Sequence, residues 1–100
     1  MQGERITLAV VELAADSLVP EHRHPNEQLG ICLQGSGRFT IGDETREIRP
    51  GTTWRILADV PHSLMTGPEG AVVIDVFNPV REDWDDRPAT EGLVPRWPAP

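Results

Sequence analysis

The stretch Pro20-Glu21-His22-Arg23-His24-Pro25-Asn26-Glu27-Gln28 holds two of the chain's three histidines, and the third, His62, follows Val60-Pro61. Side chains of an extended segment alternate with a period of two, so His22 and His24 are expected on one side. Imidazole is the commonest protein ligand for borderline divalent metals and binds them as the neutral base. A plainer explanation exists for each feature alone: a solvated His-x-His pair, an ordinary half-buried histidine. Together they predict a pocket for one divalent transition metal (nickel, zinc, manganese or iron). His22, His24 and His62 are the expected ligands, with Gln28 or Glu27 completing the set.

The elements that must position these residues read as strands. Arg5 to Leu13 is β-branched and apolar, and Leu18 to His24 carries the histidine pair before Pro25, which cannot donate to a ladder. Leu29 to Gln34 alternates, with Leu29, Ile31 and Leu33 on one face and Gln28, Gly30, Cys32 and Gln34 on the other. Gly35-Ser36-Gly37 reads as a hairpin turn, followed by Arg38 to Ile41, a Gly42-Asp43 turn and Thr45 to Arg49. After Pro50-Gly51 comes Thr52 to Leu57, with Trp54 and Ile56 on one face. His62 to Thr66 and the apolar Ala71 to Phe77 are joined by a second expected hairpin, Gly67-Pro68-Glu69-Gly70. About eight short strands punctuated by turns predict an all-β antiparallel jelly roll. The barrel is expected over residues 1–80, and residues 81–100 as a Pro-rich tail packed on the barrel or a partner subunit.

Composition narrows the function. One hundred residues with 38% hydrophobic and 25% charged content suit a single domain with one core. A net charge of −7 offers no basic stripe for nucleic acid. All nine basic residues are arginine, so Schiff-base chemistry lacks its lysine, and the absence of tyrosine removes any phenolic proton donor. A lone cysteine, Cys32, forms no internal disulfide. No apolar run suits a bilayer span and no leader pattern is seen, so the expected location is the cytoplasm. Leu29, Ile31 and Leu33 form an apolar row that a small barrel leaves uncovered, which predicts a homodimer.

The run His22-Arg23-His24-Pro25-Asn26-Glu27-Gln28, the glycine-bounded segment after it, Arg49-Pro50-Gly51-Thr52-Thr53-Trp54 and Val60-Pro61-His62 resemble the two motifs of the cupin superfamily across residues 18 to 79. The usual first motif carries a glutamate where this chain has Gln28, with Glu27 one place early. The end of the match, Ile74-Asp75-Val76-Phe77-Asn78-Pro79-Val80-Arg81-Glu82-Asp83-Trp84, is similar to small RmlC-like cupins related to KdgF, which convert unsaturated uronates to a linear keto sugar. That resemblance implies a cupin-type double-stranded β-helix. It also implies a metal held by His22, His24, His62 and Gln28, catalytic roles for Asp75 and Arg81, and a small acidic sugar as substrate. The chain departs from the family in a shorter N-terminus and in Cys32, where an aromatic residue is common.

Physical chemistry gives those roles content. Asp75 interrupts the apolar run Val72-Val73-Ile74-Asp75-Val76-Phe77 and by alternation shares a face with Val73 and Phe77. A buried carboxyl near a cation suits proton transfer, and a guanidinium fork such as that of Arg81 grips a carboxylate through two bonds. The plainer expectations are a backbone-bonded Asp75 and a surface ion pair for Arg81. Phe77 and Trp54 read as core, Trp84 and Trp97 as a lid or interface, and Arg23, Arg38 and Arg55 as surface positions. Other readings of the same pocket are a metal-dependent dioxygenase and a non-catalytic small-molecule-binding module.

Overall fold

The structure, a computed structural model, describes residues 1–82 and Pro98. Six antiparallel strands make it up: β1 (Thr7–Leu13), β2 (Leu18–His22), β3 (Glu27–Ile41), β4 (Glu44–Ile48), β5 (Thr53–Ile56) and β6 (His62–Asn78). Among the described residues no helix is long and apolar enough to cross a membrane.

The architecture follows from β3 and β6, which run through both layers of the jelly roll. In the first layer the later part of β6 lies between β1 and the early part of β3, and β5 joins the far side of β3. In the second layer the early part of β6 lies between β2 and the later part of β3, which in turn pairs with β4.

The two hairpins expected at Gly35-Ser36-Gly37 and Gly67-Pro68-Glu69-Gly70 are therefore bends inside long strands, and the expected eight strands become six. The reason lies in the pairing. Gly35 faces Ala71 whereas Gly37 faces Thr66, so both strands fold over at one irregularity and remain partners through it. Gly35 and Gly70 take positive φ, 82° and 71°, and their backbones approach too closely for a side chain at position 35. Gly42-Asp43, by contrast, does reverse the chain between β3 and β4.

Inward-facing residues of the two layers meet in one core. Cys32, Trp54, Ile56, Ala71 and Val73 come from the first layer, and Phe39, Ile48 and Leu64 from the second. Burial of each large member is worth about 1.5–3 kcal/mol relative to leaving it in water. The outward phase of the first layer is also apolar: Leu29 and Leu33 are 51% and 43% exposed. Of the tail expected at 81–100, only Arg81, Glu82 and Pro98 are among the described residues, and Trp84 and Trp97 lie outside them.

Candidate metal centre

The strand bearing the histidine pair ends at His22, not at His24. Pro25 withholds a ladder donor, and the His24 carbonyl instead accepts from the amide of Asp59 in the loop before β6 (2.8 Å). His22 is registered opposite His62 across the β2–β6 ladder. The three rings nonetheless gather, with centroids 4.3 Å apart for His22 and His62, 4.9 Å for His24 and His62, and 5.9 Å for His22 and His24. One nitrogen from each lies within 4.8 Å of the others.

Which nitrogens converge follows from the backbone. The Nδ1 of His22 faces the carbonyl of Pro20 (2.8 Å), that of His24 the carbonyl of Asn26 (3.0 Å), and that of His62 the carbonyl of Val60 (2.8 Å). A carbonyl only accepts, so each Nδ1 carries the proton and each Nε2 of the neutral ring presents a lone pair. The Nε2 of His62 is buried without a hydrogen-bond partner. Burial lowers the pKa of His24 and of His62, and the Arg81 charge adds to the shift, so both rings are neutral near pH 7.

Gln28 brings an amide oxygen up to the histidine cluster, a candidate fourth donor atom. Its side chain is buried on the inward face of β3, while Glu27 is exposed on the opposite face. Gln28 Oε1 lies 3.1 Å from His24 Nε2. The amide –NH2 must then face Asp75, because turning it over would set Oε1 against a carboxylate. Three imidazole lone pairs and an amide oxygen aimed at one another suit a divalent transition metal, and the carbonyl-bonded Nδ1 atoms fix the ring tautomers such a site needs.

Asp75 and Arg81 border the same cavity, about 130 Å³, together with His22, Gln28 and His62. Asp75 is buried in the inward phase of β6, where desolvation raises its pKa against the opposing pull of hydrogen bonds from Gln28 and Trp54. Arg81 is buried too, its guanidinium 4.9 Å from the centre of the Phe77 ring. The inner wall is apolar, built from Val11, Leu13, Val19, Leu64 and Val73.

Several residues that hold the site carried no role in the sequence reading. Asn26 donates to the carbonyls of Pro79 and Val80 (2.6 and 3.2 Å), pinning the segment that leads to Arg81. The Arg81 amide donates to Thr7 Oγ1 (2.8 Å), the Thr7 hydroxyl donates to Gln2, and the Gln2 amide donates to the Arg81 carbonyl (2.9 Å), a closed ring. Their only sequence signal was polarity in an inward phase, as at Thr7, or membership of the histidine motif, as at Asn26. Trp54, expected as core, also donates to Asp75. Arg23, Arg38 and Arg55 are exposed and do not border the cavity.

Comparison with known proteins agrees with the fold. The Cupin domain family profile matches residues 9–77. The chain is 34% identical over 65 residues to dimethylsulfoniopropionate lyase DddW of Ruegeria pomeroyi, covering 65% of this chain but only 43% of that enzyme. It is 26% identical over 83 residues to the pectin degradation protein KdgF of Dickeya dadantii, covering 82% of this chain and 76% of that protein. Among solved structures, KdgF from Halomonas sp. superposes with a TM-score of 0.78 at 23% identity, over 83% of this chain and 76% of the other, a likeness of fold.

Proposed function

The chain belongs to the cupin domain family, and on that footing we propose that it is a metal-dependent isomerase that opens and ketonises an unsaturated uronate. The observation that carries the reading is the convergence of the histidine nitrogens, Gln28, Asp75 and Arg81 on one cavity. A divalent ion held by His22, His24, His62 and Gln28 would supply a Lewis acid of undiminished charge, since none of those ligands is anionic.

The rest falls to the chain's own residues. In an unsaturated uronate the ring oxygen sits on a carbon of the double bond, so opening the hemiacetal to the aldehyde yields an enolate. That step releases the proton of the anomeric hydroxyl, and ketonisation takes up one proton at the neighbouring carbon. Asp75 accepts the first and returns it in the second, an exchange that suits a carboxyl whose pKa burial has raised. Arg81 takes the uronate carboxylate in its fork. The test is turnover of an unsaturated uronate by metal-loaded protein, followed by loss of the conjugated double bond. A fully metallated protein without turnover would sink the assignment.

The apolar inner wall favours a second reading, a lyase acting on a small acid with few hydroxyls. In that reading Asp75 removes the proton next to a carboxylate, and the similarity to a dimethylsulfoniopropionate lyase supports it. An assay for acrylate release from dimethylsulfoniopropionate separates the two.

We also propose a homodimer. Strand register sets Leu8, Val76 and Leu29 in one outward row and Val10, Ile74 and Ile31 in the next, an apolar face suited to a second copy.

A further inference from the structure

Trp54, Gly30 and Asp75 occupy one cross-strand row: Gly30 of β3 is paired on one side with Trp54 of β5 and on the other with Asp75 of β6. Adjacent strands lie roughly 4.8 Å apart, so residues on the two outer strands normally have a middle side chain between them. Here the middle residue has none. The indole N–H of Trp54 passes over Gly30 and donates to Asp75 Oδ1 at 3.0 Å. A methyl group at position 30 would fall inside contact distance of Trp54 Nε1, Trp54 Cε2 and Asp75 Oδ1. Gly30 is not among the positive-φ glycines, so the space above it, not its backbone, is what the position requires.

The indole is itself held, buried against Phe39 with ring centroids 5.1 Å apart. Asp75 also accepts from the Gln28 amide, whose oxygen faces His24 Nε2. A chain of contacts therefore runs from Trp54 through Asp75 and Gln28 to the histidines. We propose that Trp54 is a positioning residue for the metal centre. Its N–H holds the Asp75 carboxylate where it receives the Gln28 –NH2, which keeps the Gln28 oxygen turned toward the three Nε2 atoms. This rests on the reading of His22, His24, His62 and Gln28 as a metal site.

The test is a zinc titration of the full chain as wild type, Trp54→Phe and Gly30→Ala, with two readouts. The first is zinc affinity by chelator competition. Trp54→Phe keeps an aromatic side chain, smaller than the indole, and loses the N–H, and is expected to weaken affinity by about tenfold, at the low end of losses seen when an outer partner of a ligand is removed. Gly30→Ala keeps every hydrogen-bonding group but forces Trp54 and Asp75 apart, so a similar loss is expected, and it serves if Trp54→Phe fails to fold. The second readout is the indole N–H resonance absent from Trp54→Phe, which should shift in the wild type as zinc fills the site. A ring that merely packs the core would not report zinc at its N–H. Equal affinity in wild type and both variants, or a stationary Trp54 resonance during zinc binding, overturns the proposal. A wild type that takes up no zinc overturns the metal reading, and this proposal with it.

Discussion

His24 Nε2 and Gln28 Oε1 lie 3.1 Å apart with no hydrogen between them in the neutral protein. The Nδ1 proton of His24 is committed to the Asn26 carbonyl, and the amide hydrogens of Gln28 are turned to Asp75. Two acceptors at that separation repel, and the contact becomes favourable only with something electropositive between them. A proton on Nε2 is one candidate and a metal ion is the other. Burial and the charge of Arg81 work against the proton by lowering the pKa of His24.

Metal content is thus the first expectation. Purified protein should bind about one transition-metal ion per chain, and His62→Ala should lose it. Zinc at about a hundred times its dissociation constant should raise wild-type stability by about 2.7 kcal/mol and leave His62→Ala unmoved. Elemental analysis with thermal unfolding checks both, and a metal-replete His62→Ala would remove the third ligand from the scheme.

Asp75→Asn, loaded at saturating metal, should lose turnover by at least about a hundredfold, the scale of a general acid–base contribution. The substitution is not neutral for structure. Asp75 accepts from both Trp54 and Gln28, whereas an asparagine oxygen faces only one of those donors and its –NH2 meets the other. A modest loss of stability, about 1–3 kcal/mol, is expected from the group left unpaired. Steady-state kinetics on metal-matched samples is the check, and wild-type turnover would remove Asp75 from the proton transfer.

Leu29→Glu tests the outward apolar face. Leu29 is 51% exposed and stands beside Val76 in the first layer. A charge there should leave the thermal midpoint of a monomer nearly unchanged and convert a dimer to monomer in sedimentation velocity. A wild type that already sediments as a monomer would end the dimer proposal.

What the sequence carried, it carried through period and residue type. Alternation in β6 put Asp75 in phase with Val73 and Phe77, and all three are buried. The residues alone left Gln28 and Glu27 both open as the fourth ligand, and it is the fold that buries Gln28 and exposes Glu27 on the opposite face of β3. Alternation did not tell bends from hairpins, because Gly35-Ser36-Gly37 is sound turn chemistry and only the partner strand, folding at the same level, keeps β3 continuous. Nor could it find the Trp54–Asp75 bond, which joins residues two strands apart across a glycine that looked like a neutral member of an alternating run. The Gln2–Thr7–Arg81 ring closes over a sequence separation of up to 79 residues, beyond any local pattern.

Competition between proton and metal gives the last expectation. In the folded metal-free protein His24 and His62 titrate below 6.5, their value in the unfolded chain. As pH falls from 6.5 toward those lowered values the unfolded chain binds more protons than the folded one. The histidine contribution to stability is therefore fully present above 6.5 and is lost through that window. Asp75 has the opposite sign, because its folded pKa is raised above 3.8: its contribution is full below 3.8 and is lost as pH rises through the folded value. On going from pH 7.5 to 5.5 the metal-free wild type should lose thermal stability, and His62→Gln should lose less. Zinc should steepen the wild-type dependence, since the bound form requires all three imidazoles neutral. Thermal midpoints across that range, with and without zinc, decide the matter. A pH dependence that is the same in His62→Gln as in the wild type, and insensitive to zinc, would mean that these histidines neither titrate as a buried group nor share an ion.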